Sequence, residues 1–343
     1  MKKIIVFLLA ACTAMTLLSG CDSITNSPSC EHTYEWQKSE ETHQKIYTCG
    51  CPSPDIAEVH SDVDGDNECD LCKYIFKQTI SASEGLELVQ NDAGTSCAVI
   101  SIGSCKDKSI IIPSEHEGLP VVGILPEAFK GNNEITSIVI PDSVVLIYQY
   151  AFMDCTSLVS VEMGTGLKGI FEGAFAGCTK LEQISLPDGL EKIYEHAFNG
   201  CASLEEVVLP DSITEVGKWA FANCSSLVAI EFSDKMQVIE ESTCYACTSL
   251  TSIDFGDGVT YVETDAFYGC ISLERLYIPK NIQRLISSFT GCGALSYVEF
   301  EITSGWKWRS KNGAFFNTHN VTNPETNAYD MKWTWDGSSW SRE

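Results

Sequence analysis

One cysteine returns along this chain at a fixed interval. Cys155, Cys178, Cys201, Cys224, Cys247 and Cys270 stand 23 residues apart, and Cys292 follows after 22. Its surroundings return with it. Ala174-Phe175-Ala176-Gly177-Cys178-Thr179-Lys180-Leu181 reappears as Ala197-Phe198-Asn199-Gly200-Cys201-Ala202-Ser203-Leu204, and the frame fits Ala151-Phe152, Ala220-Phe221 and Ala266-Phe267 as well. A period of this length belongs to a solenoid: one coil cannot bury its apolar face alone, and stacking on its neighbours completes the core. Size rules for globular domains therefore do not bound this fold.

Each unit runs L-x-x-V/I-x-Φ-P-x-x-Φ-x-x-I-x-x-x-A-F-x-x-C-x-x, where Φ is apolar. In one coil, Leu204, Val207 and Leu209 read as inward, and strand alternation turns Glu206 and Val208 outward. Pro210 ends the strand and begins a turn. Ile213 and Val216 supply a second inward step, and Ala220-Phe221 begins a turn or short 3₁₀ segment that returns the chain. Phe221 fills the coil, and Cys224 is a small, weakly polar side chain suited to burial. Side chains that point the same way in every coil are poorly placed for disulfides, so the column reads as buried structural thiols. Cys244 takes the Phe position of its coil, which leaves that coil short of volume, and Asn132 takes the Cys slot of the first repeat. The expected fold is mostly β: a right-handed solenoid of about eight 23-residue units over 110–300. A cap over 80–109 precedes it, with strands in 86–89 and 98–102, where Cys97 and Cys105 are placed to pair. A tryptophan-rich β cap over 301–343 follows, holding Trp306, Trp308, Trp333, Trp335 and Trp340.

The A-F-x-x-C-x-x-L-x-x-V/I-x-Φ-P frame resembles the BspA-like leucine-rich repeats of bacterial surface proteins, a type also found in treponemes. Ile111-Ile112-Pro113-Ser114 with Gly118-Leu119-Pro120-Val121-Val122 resembles that family's first repeat. The resemblance implies a solenoid used for surface attachment or protein binding, with no catalytic residues. In such repeats the outward strand positions line a concave sheet. Here they include Glu162, Glu206, Glu231, Asp254, Arg275, Tyr277, Tyr297 and Glu299, an acidic row that turns aromatic toward its C-terminal end. Tyr and Arg are the residues enriched in binding hot spots. The expected partner is a protein on a host or neighbouring cell, engaged by a monomer; the alternative is an envelope glycan stacked on the C-terminal tryptophans.

The N-terminus reads as an export signal over residues 1–20: Lys2 and Lys3, then an apolar run from Ile4 to about Leu18. Leu18-Ser19-Gly20-Cys21 resembles a bacterial lipobox, which implies cleavage before Cys21, lipidation of its sulfur and an outward-facing, membrane-anchored protein. Residues 21–29 form a tether. Residues 30–75 are rich in Cys and His, with Cys30, His32, His43, Cys49, Cys51, His60, Cys69 and Cys72. Cys49, Cys51, Cys69 and Cys72 make either a structural zinc site, with His60 or His32 as a substitute ligand, or disulfide staples of an exported module. Asp62, Asp64 and Asp66 resemble the start of a calcium loop, but Lys73 stands where the bidentate Glu belongs. This stretch resembles the Cys/His segments that precede repeat domains in bacterial surface proteins.

The formal net charge of −25 argues against nucleic acid and against adsorption to anionic lipid, since both attract basic surfaces. No nucleophile elbow, metalloprotease helix, phosphate loop or dinucleotide fingerprint occurs, and the expectation is a protein without catalysis.

Overall fold

The structure, a computed structural model, describes residues 82–306 continuously, together with 32–38, 43–49, 59–61, 307–309, 315–316, 324–325, 327, 331 and 339–342. The chain divides into two compact units, Met1–Thr79 and Ile80–Glu343. In the first, His32–Lys38 pairs antiparallel with His43–Cys49, which pairs antiparallel with Val59–Ser61. The register sets His32 opposite Cys49 and His60 opposite Tyr47.

The second unit is a β-solenoid. Its longer strands follow one another from coil to coil as a parallel series, paired in runs of four, three and two: Ser109–Ile111, Ser137–Ile140, Ser160–Met163 and Gln183–Ile184; Glu206–Val208, Ala229–Glu231 and Ser252–Asp254; Arg275–Ile278 and Tyr297–Phe300. The register follows the period, so that Ser160 lies between Ser137 and Gln183, and Ala229 between Glu206 and Ser252. Strand pairing is interrupted between Ile184 and Glu206 and between Asp254 and Arg275.

The second inward step of each unit forms a ladder of its own. Leu119–Ile124, Leu146–Ile147, Gly169–Ile170, Lys192–Ile193 and Glu215–Val216 pair in parallel, as do Val238–Ile239, Tyr261–Val262 and Arg284–Ile286. Antiparallel pairs close both ends. Glu87–Gln90 pairs with Cys97–Ser101, which lies beside Leu119–Ile124. Ser339–Arg342 lies between Arg284–Ile286 and Trp306–Arg309. Such caps cover edges that would otherwise pair with another chain.

The return segment is a run of turns with two left-handed residues per coil, four apart. They are Glu127 and Gly131, Tyr150 and Asp154, Gly173 and Gly177, His196 and Gly200, Trp219 and Asn223, Ser242 and Ala246, Asp265 and Gly269, and Ser287 and Gly291. The fold tolerates these φ values because the turn is hydrogen-bonded to the next coil: Asp154 N donates to Ala176 O at 2.7 Å, Asn223 N to Tyr245 O at 2.7 Å, and Ala246 N to Tyr268 O at 2.7 Å.

The core is a set of columns. Phe129, Phe152, Phe175, Phe198 and Phe221 stack face to face at 5.0, 5.0, 5.3 and 5.4 Å between successive ring centres. Each thiol of the neighbouring column donates to a backbone carbonyl of the coil before it: Cys178 Sγ to Phe152 O at 3.1 Å, Cys201 Sγ to Phe175 O at 3.2 Å, and Cys247 Sγ to Phe221 O at 3.1 Å. The ten cysteines described in this unit are free and buried. Cys97 and Cys105 are among them, so the pairing expected from their positions does not form; Cys97 Sγ instead approaches His116 O at 3.8 Å. At Cys244 the phenylalanine column is interrupted. Phe232 and Phe255, at positions where most coils carry Ile, Met or Leu, meet Phe267 edge-on at 6.2 Å. Asn132 accepts from the Glu134 and Ile135 amides at 2.9 and 3.1 Å, capping the turn from the slot that the thiol occupies elsewhere.

Candidate functional site

Alternation along the longer strands decides which side chains reach solvent. Val207, Ile230 and Leu276 are buried, while Glu162, Glu206, Glu231, Asp254, Arg275, Tyr277 and Glu299 are exposed. Glu231 is held in register between Val208 and Asp254, and Tyr277 faces Glu299. Val208 and Tyr277 are 52% and 50% exposed, which leaves apolar surface within an acidic row. Tyr297 differs from the rest: it is half-buried, and the Arg275 guanidinium lies over its ring at 4.2 Å. Arg and Tyr therefore form a preassembled cation–π pair instead of two separate contacts.

Parallel register brings like charges side by side. Partial burial, then Asp254, Asp234, Asp211 and Glu206, push the Glu231 carboxyl above its ordinary range. Partial desolvation, then Glu301 and Glu299, raise the Tyr277 phenol. Carboxylates crowded without a neutralising cation cost stability, so this face stores an electrostatic penalty that a cationic partner would relieve.

The buried thiols do different work. Burial pushes Cys155 and Cys201 up to about 12, and raises Cys178, Cys224, Cys244 and Cys270 as well. A nucleophilic or metal-ligating cysteine needs the thiolate, so these six are packing groups. Among the described residues, no group of three or more His, Cys, Asp or Glu could hold a metal ion.

Two of the five C-terminal tryptophans are core. Trp306 and Trp340 are 2% and 3% exposed; both rings pack on Phe300, and Trp306 Nε1 donates to Ile302 O at 2.9 Å. Trp308 lies in strand register with Trp340 and Phe316. Trp333 and Trp335 fall outside the described residues, as do Cys21, Cys51, Cys69, Cys72, Asp62, Asp64 and Asp66. Cys49 closes the strand His43–Cys49, with only its backbone described.

The row-by-row reading of the sequence missed a second surface, on the return turns. Tyr148, Phe171 and Tyr194 stack at 5.4 and 4.4 Å. His196, which looks isolated in sequence, stacks on Trp219 at 6.0 Å, followed by Tyr245 and Tyr268 at 5.0 and 4.8 Å. All seven rings are half-buried. The signal was present: positions 148, 171 and 194 are one column of the 23-residue period.

A model of the BspA type leucine rich repeat region matches the chain in six copies, over residues 122–242, 168–296 and 220–328. The crystal structure of the T. pallidum leucine-rich-repeat protein TpLRR is similar at 28% identity with a TM-score of 0.54, covering 56% of this chain and 90% of that one. A leucine-rich-repeat protein from Bacteroides ovatus, 23% identical with a TM-score of 0.50, covers 65% of this chain and 71% of its own and shares the fold. No curated protein matches the sequence.

Proposed function

This chain belongs to the BspA-type leucine-rich-repeat family, and on that premise we propose that it is a bacterial surface protein that captures a macromolecular partner on the outward face of its longer-strand ladder. The reading assigns it an adhesin or scaffold role without catalysis, held to the membrane through lipid on Cys21. The N-terminal Cys/His module serves structure, through zinc, calcium or disulfides.

The observation that carries the reading is the registered row itself. Glu206, Glu231 and Asp254 set up an unneutralised acidic stretch, and the Arg275–Tyr297 pair with Tyr277 lies beyond it. Acid at one end favours a basic protein surface and speeds its approach, while Tyr and Arg supply the desolvated anchor. The alternative, a glycan stacked on tryptophan, loses Trp306 and Trp340 to the cap core and would rest on Trp308, Trp333 and Trp335.

The test is a binding screen of the chain from Ser23 onward against host matrix proteins and cell-wall glycans. For a protein ligand, Glu206→Lys with Glu231→Lys should weaken binding tenfold or more, and Tyr277→Ala should do so independently of salt. Loss of binding through Trp308→Ala and Trp335→Ala alone, with the acidic row indifferent, would select the glycan reading. A ligand whose binding is unmoved by all of these changes would overturn the assignment of the face.

A further inference from the structure

The aromatic column on the return turns stops abruptly, and where it stops there is a cavity. Tyr148, Phe171 and Tyr194 occupy successive rungs; the next residue in the column is Gly217. A Cβ on Gly217 would fall 2.5 Å from Glu195 N and 2.7 Å from the Tyr194 carbonyl carbon, so the close approach of that turn admits glycine alone. No ring continues the column past Tyr194, which with Gly217 borders a notch of about 330 Å³. That is the small end of ligand-pocket sizes, suited to one side chain rather than to an extended ligand.

The walls of the notch are acidic. Glu172, Glu195, Glu215 and Glu240 line it with Lys218 as its one cation. Three of these charged groups are already engaged. Lys218 pairs with Glu241 at 2.9 Å, Glu215 with Lys192 at 2.8 Å, and Glu172 accepts from the Tyr150 hydroxyl. Glu195 and Glu240 lie in the field of Lys218, which is committed to Glu241, and have no ion-pair partner of their own within 4.0 Å among the described residues. Counting the engaged partners, five glutamates face two lysines, a net of −3 (−5 + 2).

We propose that this notch is a second binding site, which receives an arginine side chain of a protein partner. Its guanidinium enters the notch beside Gly217, lies against the Tyr194 ring and forks between Glu195 and Glu240. A planar cation meets both demands of the site at once. It continues an aromatic stack, and it reaches two carboxylates with directed N–H donors while offsetting one of their charges, which a lysine ammonium does as a point charge only. A neutral sugar would satisfy the stacking and leave the charge uncompensated. The site lies where Lys192–Ile193 and Glu215–Val216 run into their turns, on the shorter-strand ladder. It stands independently of the role proposed for the longer strands.

The experiment uses the full soluble chain and a blocked tripeptide, acetyl-Gly-Arg-Gly-amide, titrated by NMR. Its controls are the citrulline and lysine analogues, and cellohexaose as a neutral sugar. The arginine peptide should bind at least tenfold more tightly than the citrulline peptide and more tightly than the lysine peptide. Glu195→Gln with Glu240→Gln should weaken it tenfold or more, and Tyr194→Leu about threefold. Asp92→Asn with Glu134→Gln, which removes the same charge at distant exposed positions, should change it by less than twofold. Melting curves establish that each variant is folded. Equal binding of the citrulline peptide overturns the proposal, as does equal weakening by the distant charge pair, or binding of cellohexaose in place of arginine.

Discussion

At the scale of single residues, the thiol column shows why an abundant cysteine need not be a reactive one. Each Sγ lies in apolar surroundings, and its proton is held on a carbonyl of the preceding coil. The sign of the pH dependence follows. A thiol raised to about 12 in the fold stays protonated where the unfolded chain, near pKa 8.5, has lost its proton. The unfolded state then binds fewer protons than the native state, and stability falls as pH rises above about 8.5. Each fully ionising thiol contributes about 1.4 kcal/mol per pH unit. Chemical denaturation at pH 8 and pH 10 should show this loss, and iodoacetamide should leave the ten solenoid cysteines untouched until the coil unfolds. Alkylation of any of them in the native state would contradict their burial. Glu231 runs by the same rule in the acid range. Its carboxyl is raised in the fold, chiefly by partial burial and by Asp254. Native protein therefore holds that proton more tightly than unfolded chain, and stability from this group rises as pH falls through the raised pKa toward the ordinary carboxylate value. Glu231→Gln should raise the melting temperature at pH 7, and the gain should shrink as the medium is acidified.

At the scale of one coil, the phenylalanine stack and the left-handed turns set the energetics. Phe198 is fully buried between Phe175 and Phe221. Phe198→Ala should cost about 3–5 kcal/mol, because the coils on either side cannot collapse into the gap. Equilibrium unfolding in urea would measure it. The turn offers a change in the opposite direction. Ala246 sits at φ 56° in the position that Gly177, Gly200 and Gly269 fill elsewhere. A left-handed alanine costs roughly 1–2 kcal/mol, and glycine gives back about 0.4–1 kcal/mol through greater freedom of the unfolded chain. Ala246→Gly should therefore stabilise by about 0.5–1 kcal/mol. A destabilised variant would show that the turn is not under strain. The Lys–Glu pairs that step from coil to coil, such as Lys192 with Glu215, are half exposed or nearly so at both partners, and each contributes less than about 1 kcal/mol. They set local charge more than stability.

At the scale of the solenoid, contacts run between neighbouring coils, so stability spreads along the axis and the ends matter. Trp340, packed with Trp306 against Phe300, belongs to the strand that covers the last rung of the shorter ladder. Trp340→Ala should expose that rung. Hydrogen exchange should then quicken first in Arg284–Ile286 and Tyr297–Phe300, while Leu146–Ile147 and Gly169–Ile170 keep their protection. Uniform loss of protection along the whole unit would mean that the coils fold as one cooperative block.

The period, the inward and outward alternation, and the structural character of the thiols were all legible in the sequence, because each is a local rule repeated. Glu206 and Val208 face solvent, and Leu204 and Leu209 do not, for the reason that strand geometry gives. The tertiary structure decided what depends on contact between coils. It showed that the second inward step is a parallel ladder, that Phe232 and Phe255 meet Phe267 edge-on, and that Arg275 rests on Tyr297. It also placed Tyr194 and Gly217 on the wall of one notch. Residues 23 apart in the chain become nearest neighbours only once the coils are stacked, and a property shared between two coils is carried by neither one alone.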